Sequence, residues 1–255
     1  MILIDTHAHI TSEDYFNRID EVIQSAKENG IEKIINIGTD LKSSEECLKL
    51  SEKYSALYAS CGVHPHEANK APNRYIYELE EFSKHPKTVA IGEIGLDYHY
   101  NISEPKIQKR IFREQLELAK DILIPSIVHC RDADDDILEN LREVRQCNGV
   151  IHCFSSTSKF AKHILETGFN ISFTGMITFI KDLEAVVQSI PLDKMMLETD
   201  SPYLSPKPFR GKINEPKNIL YIAEKISELK GIRIEEVATS TTKTALALFK
   251  KLNNN

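Results

Sequence analysis

The sequence predicts an α/β fold, a closed (β/α)8 barrel that forms a single domain over residues 1–255. Three observations support it: eight short apolar or β-branched runs, helical patterns between them, and no linker or internal repeat. Such alternation is typical of parallel strands joined by crossover helices, and eight strands in about 200 residues fit a closed barrel. An open, doubly wound sheet is the alternative.

Each predicted strand is too short for a helix and is bounded by turn residues or polar stretches. The strands cover residues 2–6, 33–38, 57–63, 89–93, 125–129, 150–154, 169–174 and 195–199.

Helical periodicity occurs in the segments between the predicted strands. The apolar spacing predicts a helix from Ile19 that ends at Gly30, and Ser43 with Glu46 predicts a capping box for the next helix. Pro105 is tolerated at the start of a long third helix. Further helices are predicted over 159–166, 182–189, 217–229 and 235–252.

Composition and charge restrict the possible partners. The chain has 32 Lys and Arg against 38 Asp and Glu, a formal net charge of −6, which argues against a protein that coats DNA. A local phosphate-binding cleft is still allowed if metal ions supply positive charge. With no signal peptide, no run of about 18 apolar residues and five cysteines without CxxC spacing, we expect a cytoplasmic monomer without membrane contact.

Histidines and carboxylates end several of the predicted strands. His7 and His9 are two residues apart, so both can aim at one ion. Glu93 lies between glycines in an apolar run, where a carboxylate is costly unless it is ion-paired or bound to metal. The alternative for Glu93 is a buried salt bridge.

Six potential metal ligands lie at the carboxyl ends of strands one, four, five, six and eight, the barrel face where active sites form. They are His7, His9, Glu93, His129, His152 and Asp200. Imidazole and carboxylate suit Zn²⁺, Mn²⁺, Fe²⁺ or Co²⁺. Six donors exceed one tetrahedral set, so we predict two divalent ions, with Glu93 free to bridge them.

In these motifs the chain resembles the TatD-type metal-dependent deoxyribonucleases, a branch of the amidohydrolase-like barrels. The matching segments follow family order over nearly the whole chain: Asp5-Thr6-His7-Ala8-His9, Gly62-Val63-His64-Pro65-His66, Gly92-Glu93-Ile94-Gly95-Leu96-Asp97, His129-Cys130-Arg131-Asp132-Ala133, His152-Cys153-Phe154-Ser155, Leu197-Glu198-Thr199-Asp200-Ser201-Pro202-Tyr203 and Arg210-Gly211-Lys212-Ile213-Asn214-Glu215-Pro216. Ser156 and Thr244 depart from the family pattern, and neither is a ligand candidate.

The resemblance implies a (β/α)8 barrel with two ions, Mg²⁺, Mn²⁺, Zn²⁺ or similar. One ion would take His7, His9, Glu93 and Asp200, and the other Glu93, His129 and His152. Asp200 and Glu93 would be catalytic, with Asp200 also accepting the proton of the attacking water.

Four residues are candidates for substrate phosphate contacts: His64, His66, Arg131 and Arg210. The guanidinium fork suits phosphate oxygens. The alternatives are an ion pair of Arg131 with Asp132 or Glu93 and a solvated loop position for His66. Glu198 fits better as support behind the ligands.

Three functions follow. The resemblance implies a metal-dependent 3′→5′ exonuclease on single-stranded DNA, with RNA also possible as substrate. A second hypothesis is hydrolysis of another bond at the same site, such as deacylation of D-aminoacyl-tRNA. A non-enzymatic metal-bound scaffold is the third, and the convergence of ligands from five strands argues against it.

Overall fold

The structure, a computed structural model, describes residues 1–253, so the last two residues of the predicted domain lie outside the described part. Eight parallel strands pair in chain order, which confirms the predicted (β/α)8 barrel. A bridge between Ala8 and Ser201 joins the first strand to the segment after the last. The Thr6 hydroxyl also donates a 3.0 Å hydrogen bond to the Leu197 carbonyl. These contacts close the barrel and exclude the open sheet.

Every predicted strand overlaps an observed one. The strands are β1 (Leu3–Ala8), β2 (Ile31–Ile37), β3 (Leu57–Cys61), β4 (Thr88–Asp97), β5 (Ser126–Arg131), β6 (Gly149–Ile151), β7 (Asn170–Phe173) and β8 (Met195–Leu197). The α-helices are α1 (Ile19–Glu28), α2 (Leu41–Lys53), α3 (Tyr75–Ser83), α4 (Pro105–Asp121), α5 (Asp134–Glu143), α6 (Ser158–Glu166), α7 (Asp182–Ser189), α8 (Ile219–Lys230) and α9 (Ile234–Leu248). Within residues 1–253, no helix has both the length and the apolar character that crossing a membrane requires.

The predicted capping box at Ser43 and Glu46 is wrong, because α2 begins earlier. Asp40 is the N-cap, and its carboxylate accepts a 2.7 Å hydrogen bond from the Ser43 N–H. The Ser43 hydroxyl accepts in turn from the Asp40 N–H at 3.0 Å. Aspartate caps a helix as well as serine does, and the earlier start lets Leu41 pack against the core.

Helices α3 and α5 were not predicted. Their N-cap residues, Arg74 and Ala133, make no side-chain capping bond, so the usual start signal is missing. Helix α5 opens instead with the acidic run 134–136, and negative charge in the first turn stabilises a helix through its dipole.

The C-terminal segment closes the N-terminal end of the barrel. Phe249 and Leu252 are fully buried and join a cluster that includes Ile35, Val150 and Met196 from three strands. Packing of this kind keeps water out of that end. Polar side chains therefore have access to solvent at the other end, where the strands finish.

Candidate metal centre

The structure brings the six predicted ligand side chains together at the carboxyl ends of the strands. His7 lies in β1, Glu93 in β4 and His129 in β5. His152 directly follows β6, and Asp200 comes three residues after β8. Because successive strands of a parallel barrel finish at the same end, residues up to 193 positions apart become neighbours.

One group of donors surrounds Asp200. Asp200 Oδ1 lies 3.5 Å from His7 Nε2 and 3.4 Å from His9 Nε2, and Glu93 Oε2 lies 3.4 Å from His7 Nε2. Within the described residues, both ring nitrogens of His7 are buried and have no hydrogen-bond partner. An unpartnered buried polar atom is costly, so this group fits a cation that His7 can ligate.

A second group surrounds the other oxygen of Glu93. His129 Nε2 lies 3.1 Å from Asp97 Oδ2, an acceptor that would hold the ring proton on Nε2 when Nδ1 ligates a cation. The remaining nitrogen, Nδ1, faces Glu93 Oε1 at 2.9 Å and His152 Nε2 at 3.3 Å. His152 Nε2 is itself 2.8 Å from Glu93 Oε1. His129 Nδ1, His152 Nε2 and Glu93 Oε1 thus converge as three potential electron-pair donors. A cation bound between them would stabilise this arrangement.

Electrostatics in the centre favour positive charge. Burial acts to raise the pKa of Glu93, but the imidazoles of His152, His64 and His7 lower it well below its usual range. Burial acts to lower the pKa of His152, yet Glu93 and Glu198 raise it well above its usual range. The raised pKa of His152 shows that the carboxylates create a negative potential at its ring, which divalent ions would satisfy.

Two buried carboxylates lie beside ligand histidines, each close to a ring nitrogen. Asp97 Oδ2 contacts His129 Nε2, while the Tyr100 N–H donates to Asp97 Oδ1 at 2.9 Å. Glu198 Oε1 lies 3.6 Å from His152 Nδ1 and accepts a 2.5 Å bond from the Cys153 N–H. Such carboxylates fix the orientation of ligating imidazoles. Glu198 lies on the expected side of His152, but its 3.6 Å contact is an ion pair and not a hydrogen bond, and His152 Nδ1 has no hydrogen-bond partner among the described residues.

Asp5 and Asp97 received no role from the sequence. Asp5 is fully buried, accepts a 2.6 Å bond from the Thr199 hydroxyl and so links β1 to the segment before Asp200. Burial raises the pKa of Asp5 to about 8 despite its hydrogen bonds with Thr199. The sequence did contain a signal for both roles, an acidic residue inside an apolar run. Burying an unpaired carboxylate is costly, so such a residue is expected to have a buried partner.

The ligand groups open into a cavity of about 780 Å³. All four predicted substrate residues line it: His64, His66, Arg131 and Arg210. The Arg210 guanidinium lies 3.9 Å over the Phe179 ring and donates to the Ser205 carbonyl at 3.1 Å. These contacts hold the side chain in one orientation at the cavity wall.

Arg131 and His66 share another side of the cavity. The Arg131 guanidinium lies 4.8 Å over the Tyr100 ring, and among the described residues it has no ion pair with Asp132 or Glu93. His66 Nε2 lies 3.0 Å from Asp97 Oδ2, so His66 is not a freely solvated loop residue. The structure therefore contradicts both alternatives, the ion pair of Arg131 and the solvated loop position of His66.

A (β/α)8 barrel that gathers histidines and carboxylates at its strand ends has the architecture of a metal-dependent hydrolase. The family model described as "TatD related DNase" matches residues 4–250, so the chain belongs to this family.

Curated relatives agree with this classification. The chain is 41% identical to "Uncharacterized metal-dependent hydrolase YabD" of Bacillus subtilis, over 98% of this chain and 99% of the relative. It is 30% identical to "3'-5' ssDNA/RNA exonuclease TatD" of Escherichia coli, over 97% and 98% of the two chains. The crystal structure of the TatD homolog YJJV of Escherichia coli superposes with a TM-score of 0.93 at 29% identity, covering 97% and 98% of the chains. The chain is thus a TatD-family metal-dependent hydrolase.

Proposed function

We propose that this protein is a metal-dependent nuclease that removes nucleotides from the 3′ end of single-stranded DNA or RNA. The observation that carries the proposal is the position of Glu93 between two groups of metal-ligand candidates, in a cavity that also presents Arg131 and Arg210. Two cation positions beside two guanidinium groups suit a phosphodiester. The activity named for the Escherichia coli relative is of this kind.

The two oxygens of Glu93 support a bridging role. Oε2 faces His7, in the group that also contains His9 and Asp200. Oε1 faces the group of His129 and His152. Each oxygen of Glu93 would hold one divalent ion, and the remaining side chains of the two groups would complete the ligand sets.

Divalent ions held in these groups would activate a water molecule and neutralise charge on the phosphate. Asp200 accepts the proton of that water in the proposed reaction. Its side chain is 14% exposed and lines the cavity, so it reaches both the ligand group and the substrate space. Burial acts to raise the pKa of Asp200, but the hydrogen bond with His9 lowers it below its usual value, which keeps the side chain in the ionised form that a general base requires.

The cavity favours a strand end as substrate. About 780 Å³ is the volume of a pocket for a small-molecule ligand, so the space beside Glu93 suits one or a few nucleotides. A flexible single-stranded end enters such a space more easily than the middle of a stiff duplex. We therefore expect the protein to remove mononucleotides one at a time from the end of the strand.

A labelled oligonucleotide tests this proposal. The protein is stripped with a chelator, reloaded separately with Mg²⁺, Mn²⁺, Co²⁺ or Zn²⁺, and incubated with a 5′-labelled single-stranded oligonucleotide. We expect no cleavage without metal and a ladder that shortens by one nucleotide at a time with at least one ion. A closed single-stranded circle should be cut poorly.

Protein carrying Asp200→Asn, purified in parallel, controls for a contaminating nuclease. Absence of cleavage with all four ions would contradict the proposal. If D-aminoacyl-tRNA is deacylated under the same conditions, the centre acts on an ester bond of another class.

Arg131→Ala is expected to weaken substrate binding and leave metal content unchanged. Among the described residues, the Arg131 guanidinium makes no ion pair with the ligand groups. It lies over the Tyr100 ring and lines the cavity. Loss of a charge-assisted hydrogen bond of about 1.5–3 kcal/mol should raise Kd for a single-stranded oligonucleotide about 10- to 100-fold. Fluorescence anisotropy and elemental analysis measure the two quantities.

Arg145→Ala is the matched control, since Arg145 is exposed in the turn before β6, at the opposite end of the barrel. It should bind the oligonucleotide as the unmodified protein does. If Arg131→Ala loses metal, Arg131 supports a ligand and its proposed substrate role is wrong.

A further inference from the structure

The tautomer of His64 is fixed by its own backbone neighbourhood. His64 directly precedes the 3₁₀ helix Pro65–Lys70, and its Nδ1 accepts a 3.1 Å hydrogen bond from the His66 N–H. A backbone N–H can only donate, so Nδ1 carries no proton. The ring proton of His64 must then lie on Nε2.

The surroundings of Nε2 agree with this assignment. His64 Nε2 lies 3.4 Å from Glu93 Oε1, and a carboxylate oxygen accepts. The His64 side chain is 12% exposed and lines the cavity. It therefore presents a nearly buried N–H group at the edge of the proposed metal centre.

This arrangement is the reverse of that at His129. His129 has a carboxylate at each ring nitrogen, Asp97 Oδ2 at Nε2 and Glu93 Oε1 at Nδ1, so its Nδ1 can ligate a cation while the proton on Nε2 is donated to Asp97. A ligating histidine normally donates its second nitrogen's proton in this way. His64, Glu93 and His129 do lie close enough to form a third cation group. Ligation through His64 Nε2 would, however, leave the ring without any proton while Nδ1 still accepts.

We propose that His64 is a catalytic residue that donates its Nε2–H to a phosphate oxygen of the substrate and is not a metal ligand. The inference rests on the proposed nuclease function and assigns one hydrogen bond within it. A fixed, largely buried donor stabilises the negative charge that develops on the phosphate during hydrolysis. His64 thereby complements Arg131 and Arg210, which bind from other parts of the wall.

His64→Asn is the test variant, because an Asn side-chain oxygen can still accept from the His66 N–H but offers no donor at the Nε2 position. We expect the kcat for a single-stranded oligonucleotide to fall about 10²- to 10³-fold, with a smaller change in KM. His64→Gln places an amide N–H near the lost donor and should recover part of kcat. A KM effect alone, or no recovery with Gln, would overturn a donor role in the reaction.

Metal content separates a donor from a ligand. Elemental analysis should find the same number of ions per chain in His64→Asn as in the unmodified protein, while His129→Ala loses metal. Nitrogen-15 NMR of the Zn²⁺-loaded protein should show the His64 proton on Nε2. Loss of metal in His64→Asn, or a proton on Nδ1, would refute the proposal.

Inorganic phosphate provides a readout that needs no nuclease activity. Titration into the Zn²⁺-loaded protein should shift the His64 Nε2–H resonance, and His64→Asn should bind phosphate about tenfold or more weakly. If the protein cleaves no oligonucleotide yet these results hold, the nuclease proposal fails and the anion-donor role stands. Unchanged phosphate affinity in His64→Asn would overturn that role.

Discussion

Replacing Asp200 with Asn should reduce nuclease activity by at least about 10²-fold while the chain still folds. The amide has the shape of the carboxylate but cannot accept a proton from water at neutral pH, and a general base contributes about 10²- to 10⁴-fold to a rate. Asp200 Oδ1 also contacts both His7 and His9, so the substitution removes negative charge from a proposed ligand group. Initial rates on the labelled oligonucleotide over a range of Mn²⁺ concentrations measure the loss.

The metal titration divides this effect into its two causes. If saturating Mn²⁺ restores the rate, Asp200 serves only as a ligand and its role as base is wrong. A deficit that persists with full metal occupancy supports the base. Asp121→Asn is the matched control, since Asp121 is an exposed residue at the end of α4 and lies next to Lys120. That variant should retain the full rate.

The sequence predicted the strands and the six ligand candidates for one physical reason. Each candidate closes or follows a short apolar run, and a parallel barrel brings all such ends to one face. His152 illustrates this, because the run 149–151 is followed at once by a side chain that cannot stay buried without a partner. Convergence thus follows from topology and needs no knowledge of side-chain contacts.

Contacts between distant residues could not be predicted in the same way. Asp97 meets His129 and His66 only because three separate segments cross behind the cavity. The tautomer of His64 depends on a single backbone N–H in a 3₁₀ turn. The apolar pattern contains neither fact, because pattern reports which face is buried and not which atoms meet there.

Local competition explains the misplaced start of α2. Both Asp40 and Ser43 are good N-cap residues, three positions apart, and each is followed by plausible helix formers. Tertiary packing of Leu41 selects the earlier one. A sequence that offers two caps cannot by itself reveal which one is used.

Glu93→Ala should have the largest effect on metal content. Oε2 faces His7 at 3.4 Å, and Oε1 faces His129 and His152 at 2.9 and 2.8 Å, so one substitution deprives both ligand groups. His152→Ala removes a donor from one group only. Elemental analysis after equilibration with Mn²⁺ and gel filtration should show loss of both ions in Glu93→Ala and retention of one in His152→Ala.

The comparison requires variants that are folded, since removing one partner from a buried charged group can cost about 3–5 kcal/mol of unfolding free energy. Glu93→Gln keeps the side-chain volume and serves as the second variant, and Glu166→Ala at the exposed end of α6 is the neutral control. Circular dichroism should give the same spectrum for all four variants. Equal metal loss in Glu93→Ala and His152→Ala would mean that Glu93 is not shared. Loss of both ions in the folded Glu93→Gln protein would instead show that the negative charge between His7 and His129 holds the two ligand groups together.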